Sequence, residues 1–113
     1  MNFRPGNLVQ HKTTLVKVMP SSEKLIAADR EGNVFDIEEC ARVFLSVNQF
    51  KTIAEFEVTE YGTFVIPGIP GSFTFNNHDH TFEWTVNGVL VRTVDYLDDV
   101  QNIYYYCTTK NLF

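Results

Sequence analysis

The stretch WTVNGVLVRTVDYLDDVQNIYYYCTTKNLF, residues 84–113, decides how the rest of the chain is read. Asn87-Gly88 stands between two runs rich in β-branched residues, the strongest short-range signal for a two-residue hairpin turn. Beyond it, Leu97, Val100, Ile103, Tyr104 and Cys107 fall within one arc at about 100° per residue, which predicts an amphipathic helix with that arc facing the core. Asp98, Asp99, Asn102 and Tyr106 fall opposite, with Gln101 and Tyr105 on the flank. Asp95 is the expected N-cap, with Asp98 three residues on and Val94 before it as a staple. Acids in the first turn also suit the positive end of the helix dipole.

Working outward, the preceding sequence reads as short strands. Residues 72–75 and 81–86 form a second hairpin, with Phe73 and Phe75 on one face and Phe82, Trp84 and Val86 on one face of the return. Its loop, residues 76–80, is Asn-Asn-His-Asp-His. The run Pro67-Gly68-Ile69-Pro70-Gly71 ends a strand over residues 63–66, because proline cannot donate to a ladder. Residues 54–59 alternate as a half-buried strand, and Ser46 is a candidate cap for a helical turn over 48–51. Further back lie strands beginning at Leu8 and spanning 13–19, 24–29 and 34–37, with 41–45 a short strand or extended segment. These are separated by turns at Pro20-Ser21-Ser22-Glu23 and Arg30-Glu31-Gly32-Asn33. Short strands with polar turns at this spacing predict an SH3-like partial barrel. The expected fold is therefore α+β and antiparallel. It comprises that N-terminal half, further hairpins and one C-terminal helix packed on the sheet, in a single domain over residues 1–113.

Composition agrees with a compact chain. Hydrophobic residues make up 44% and aromatics 14%, richer than a disordered sequence allows. Nine Lys and Arg against fourteen Asp and Glu give a net charge of −5. Lys12 and Lys17 are the nearest approach to a basic group, so charge disfavours nucleic-acid binding. The opening residues show no apolar run behind a basic start, and no run of about 18 apolar residues occurs. No signal peptide and no membrane span are expected.

Candidate chemistry is thin. His78 and His80, at i and i+2 with Glu83 nearby, could share one face and reach one ion, but no third ligand is evident and no metal is assigned. Cys40 and Cys107 lie among apolar neighbours and read as reduced, buried thiols, with Glu38-Glu39 opposing thiolate formation at Cys40. The pairs Glu38-Glu39 and Asp98-Asp99 do not converge on a helix and read as solvated faces. No cofactor and no catalytic residue is assigned. The unusual local feature is Tyr104-Tyr105-Tyr106. With Tyr104 inward, Tyr105 and Tyr106 lie at the edge or outside beside Asp98 and Asp99, either as an acidic and aromatic face of the kind that anchors protein partners or covered by later strands or the Leu112-Phe113 tail. Asp98, Asp99, Tyr105 and Tyr106 are the candidate partner-binding residues.

Two motifs carry a resemblance. Arg4-Pro5-Gly6-Asn7-Leu8-Val9 is similar to the R-x-G-N-x-V opening of small proteins from phages and prophages of Bacteroidota. Residues 100–112, with Gln101, Asn102, Tyr104, Lys110 and Leu112, resemble their closing helix, L-Q-N-L-Y-x-x-L-T-G-K-E-L. Thr109 stands where glycine is usual, and Asn111 where an acid is. No functional residue carries over. The resemblance implies a mobile-element origin and a small cytoplasmic protein in a bacterial host. Together with small size and acidity, it leads to the expectation of a non-enzymatic binder of a host protein, for example an anti-defence inhibitor of a CRISPR nuclease. Homodimerisation is compatible with this. The alternative is a nucleic-acid- or nucleotide-binding module using the SH3-like half.

Overall fold

The structure is a computed structural model that describes residues 3–22, 24–46, 62–76 and 78–112. The chain is α+β. Its first sheet is formed by β1 (Leu8–His11), β2 (Thr14–Pro20), β3 (Leu25–Ala28) and β4 (Val34–Asp36), followed by a 3-10 turn at Ile37–Glu39. The second sheet contains β5 (Thr63–Phe64), β6 (Ser72–Asn76), β7 (Thr81–Val86) and β8 (Val89–Val94), and α1 (Leu97–Thr108) follows it. Both sheets are antiparallel meanders with neighbours in chain order.

The first sheet is open. No pairing joins β1 to β4 among the described residues, so the SH3-like closure is not seen. Residues 41–45 take the extended alternative. Ala41 bridges to Gln10, and Phe44 bridges to Tyr96 just before the helix. This segment thus ties the first sheet to the start of α1. The expected helical turn over 48–51 and the strand over 54–59 lie outside the described residues.

Local chemistry explains the turns. Asn87 and Gly88 have φ of +52° and +79°, the double left-handed conformation of a type I′ hairpin turn. In the β3–β4 turn the Asp29 carboxylate accepts from the backbone N–H groups of Glu31 and Asn33, both at 2.9 Å. Asn33 Nδ2 donates to its other oxygen, also at 2.9 Å. The Asn33 bond is the main cause that holds the Asp29 carboxyl below its ordinary pKa. Gly71, at φ +81°, admits no side chain, since a Cβ there would collide with the Thr85 carbonyl oxygen.

The second sheet is two-faced, as period-2 alternation requires. Phe73 pairs with Trp84, Phe75 with Phe82, and Phe82 with Val94, placing these rings on one face. Thr74 opposite Glu83 and Thr85 opposite Leu90 occupy the other. Phe64 stacks on Phe73 at 5.1 Å and meets Phe82 edge-on at 5.5 Å. Such ring pairs add about 0.5–1.5 kcal/mol each beyond burial. Leu97, Val100 and Ile103 of α1 close this core, together with Val43, Leu45 and Leu112. A smaller cluster of Val9, Val16, Val18, Ala27 and Cys40 fills the first sheet.

Candidate partner-binding face of the C-terminal helix

Helix α1 starts one residue later than an N-cap at Asp95 would place it. Tyr96 is the flanking residue, in extended conformation. The first helical N–H, of Leu97, donates to the Val43 carbonyl at 2.8 Å, and the Leu45 N–H donates to the Asp95 carbonyl at 2.8 Å. The capping acid is Asp99 rather than Asp98: its Oδ2 accepts from the Tyr96 N–H at 3.4 Å. The helix ends at Thr109, which adopts φ +60° and donates its N–H to the Tyr105 carbonyl.

Two polar anchors, neither expected, bury Asp98 and Gln101 beside the apolar arc of Leu97, Val100 and Ile103. The first is Arg42. Its Nε and Nη2 donate to the two oxygens of Asp98 at 3.0 and 2.9 Å, a fork-to-fork pair. Nη2 also reaches Asp99 at 3.1 Å, and the guanidinium lies 3.8 Å above the Tyr96 ring. Arg92 donates to the same Asp99 oxygen at 3.1 Å. Burial works against the charge on Arg42. The Asp98 hydrogen bonds and the Asp98 and Asp99 charges outweigh it, so the Arg42 pKa is raised. Asp98 is 4% exposed. The expectation that it lies on the solvent face is therefore corrected, because a cation from a segment 56 residues away in sequence meets it there.

The second anchor joins the two ends of the chain. Gln101, only 1% exposed, accepts from the Leu8 N–H at 2.8 Å and donates to the carbonyls of Gly6 and Leu112 at 3.1 and 3.2 Å. Asn102 Oδ1 accepts from Asn7 Nδ2 at 2.9 Å and from Arg4 Nε at 3.3 Å. Arg4 Nη1 also donates to Asn111 Oδ1 at 2.8 Å, and the Arg4 guanidinium sits 3.9 Å above the Tyr105 ring. Gly6, at φ +95°, lies so close to Asn111 that a Cβ would meet its Oδ1 at 2.7 Å. The opening Arg-Pro-Gly-Asn and the closing Gln-Asn are thus the two halves of one hydrogen-bonded joint.

These anchors redistribute the four candidate partner-binding residues. Asp98 is buried and Asp99 is half-buried, each bound to arginine. Tyr105 is 36% exposed beneath Arg4, and Tyr106 is 80% exposed. The rings of Tyr105 and Tyr106 meet edge-on at 6.3 Å. The face is therefore aromatic at the C-terminal end of the helix and is not acidic there. Cys107, expected on the core face, is exposed. Cys40 is buried, accepting the expected reading. Its thiol is pushed up in pKa by burial and by the Glu39 charge, and its Sγ lies 3.6 Å from the Asp36 carbonyl.

Other candidates take simple positions. His78 and His80 are exposed in the β6–β7 loop, with His80 at φ +55°. Among the described residues no group of three His, Cys, Asp or Glu side chains gathers as a metal-binding set. No helix among them is long and apolar enough to cross a membrane. The apolar edge of β8 is a further exposed feature: Val89, Leu90 and Val91 are 65%, 53% and 52% exposed. The pairing runs from Trp84–Arg92 directly to Thr85–Leu90, leaving Val91 as an extra, bulged residue. A bulge and a charged residue on an edge strand are devices that oppose strand addition.

Sequence reasoning missed Arg42, Gln101, Asn102 and Arg4 as a set. Arg42 had one visible signal, a lone cation between Ala41 and Val43 in an apolar run. Arg4, Gln101 and Asn102 had theirs in the two end motifs. No family model, no curated protein and no solved structure matches this chain.

Proposed function

We propose that the chain acts by binding a protein partner through the C-terminal end of α1, centred on Tyr105 and Tyr106, and not by catalysis. The observation that supports this is Tyr106, a tyrosine 80% exposed on a helix whose other faces are committed to packing and polar anchors. Tyrosine brings a large, stiff, amphipathic surface, and such residues dominate binding energy where they are covered. The β8 edge is a weaker candidate because its bulge and Arg92 oppose pairing. The likeness of the two end motifs to phage and prophage proteins supports a bacterial host protein as the partner, with an anti-defence role as the corresponding activity. The experiment is a paired capture from bacterial lysate with the wild-type chain and Tyr106→Ala. A protein held by the former and lost by the latter is expected. Identical recoveries from both would remove Tyr106 from the binding surface.

A further inference from the structure

We infer that the partner segment docking at the C-terminal end of α1 is acidic. This rests on the binding surface proposed above and adds its charge preference. On sequence alone the tyrosines lie beside Asp98 and Asp99, and a basic partner would follow. The structure reverses the sign. Asp98 and Asp99 are bound by Arg42 and Arg92, so two carboxylates meet two guanidinium groups and that cluster is neutral.

At the other end of the helix the balance among the described residues is positive. Arg4 lies over the Tyr105 ring, and Tyr105 touches Tyr106. Among the described residues the Arg4 side-chain bonds go to neutral oxygens: Asn102, Asn111, Pro5 and the Gln101 carbonyl. Lys110 is exposed and adjoins Asn111, the residue that holds Arg4. Neither Arg4 nor Lys110 has a carboxylate partner among the described residues. The helix dipole places roughly half a negative unit charge at this end. That offsets only part of two cations. A cationic, aromatic corner on a chain of net charge −5 is complementary to an acidic segment carrying an apolar side chain that the tyrosines can cover.

The test uses the full chain and a short fluorescein-labelled peptide of glutamates around a central Leu-Phe pair. Controls are the same peptide with lysines for glutamates, and a single-stranded oligonucleotide of equal charge. The acidic peptide should bind at low salt, weaken as salt rises through the physiological range, and exceed the lysine peptide at least tenfold. Lys110→Glu should weaken it several-fold, and Tyr106→Ala tenfold or more, with far-ultraviolet spectra unchanged. Equal binding of the acidic and basic peptides, no binding of the acidic peptide at millimolar concentration, or tighter binding of the oligonucleotide would each overturn the inference. If Tyr106→Ala still abolishes capture of the lysate protein while the two peptides bind alike, the surface stands and its charge preference falls. If Tyr106→Ala changes neither experiment, both fall.

Discussion

Replacing Arg42 by alanine is expected to be among the most damaging single changes outside the apolar core. Arg42 donates both arms of its fork to Asp98 and a further bond to Asp99, and its side chain is only 27% exposed. The Asp98 side chain is 6% exposed, so it has little water to turn to when the guanidinium is gone. Breaking a buried pair by removing one partner costs about 3–5 kcal/mol, because the remaining charge is stranded. A domain of this size has about 5–15 kcal/mol in total. At about 4–8 °C per kcal/mol, the melting temperature should fall by at least about 12 °C. Exposed surface pairs contribute about 1 kcal/mol or less, so the two interpretations are well separated. Urea denaturation followed by circular dichroism would measure the loss directly. Arg42→Met combined with Asp98→Leu should recover most of it, since the stranded charge is then removed. A loss below about 1 kcal/mol for Arg42→Ala would refute the reasoning and show that Asp98 is effectively solvated.

Other outcomes follow from the same structure. Gln101→Leu leaves the Leu8 N–H and the Gly6 and Leu112 carbonyls without their side-chain partner, and should cost about 3 kcal/mol by urea denaturation. Thr109→Gly should raise stability by about 1 kcal/mol, because a β-branched residue at φ +60° carries strain that glycine lacks. One cysteine, Cys107, should react rapidly with a thiol reagent on the folded protein, while buried Cys40 with its raised pKa reacts only on unfolding; mass mapping distinguishes them. The folded pKa of Asp29 is lowered, so its contribution to stability is complete above the unfolded carboxylate range and is lost as pH falls through the folded value. In an NMR titration Asp29 should therefore protonate below an ordinary aspartate, and Asn33→Ala should move it back up.

The parts of the fold that depend on local chemistry were legible in the sequence. The Asn87-Gly88 turn needs two residues tolerant of positive φ, and the alternation of Phe73, Phe75, Phe82 and Trp84 marks one apolar face. Leu97, Val100 and Ile103 followed from helical periodicity. The misplaced polar residues share a cause. Periodicity sorts residues by polarity, and Asp98 and Gln101 are polar residues buried because remote groups satisfy them. Arg42 lies 56 residues from Asp98, and Leu8 lies 93 from Gln101. Cys107 stands at a core-facing angle but one turn too far along, since the buried series on α1 ends at Ile103 and Leu112 returns to the core. The open first sheet reflects another limit, because strand count and turn spacing do not fix whether a meander closes. Periodicity left Tyr105 and Tyr106 at the edge or outside, and their exposure of 36% and 80%, like the sign of the charge around them, depended on remote partners. The two end motifs lie about 95 residues apart in sequence, and their contact through Arg4, Asn7, Gln101 and Asn102 gives them a packing role.

The most direct measurement of the central claim is an amide NMR titration of the full chain with the acidic Leu-Phe peptide, using backbone assignments. Shift changes should concentrate at residues 104–110 and at Arg4, with β8 unaffected. Changes concentrated instead at Val89, Leu90 and Val91, or absent at Tyr105 and Tyr106, would contradict the account.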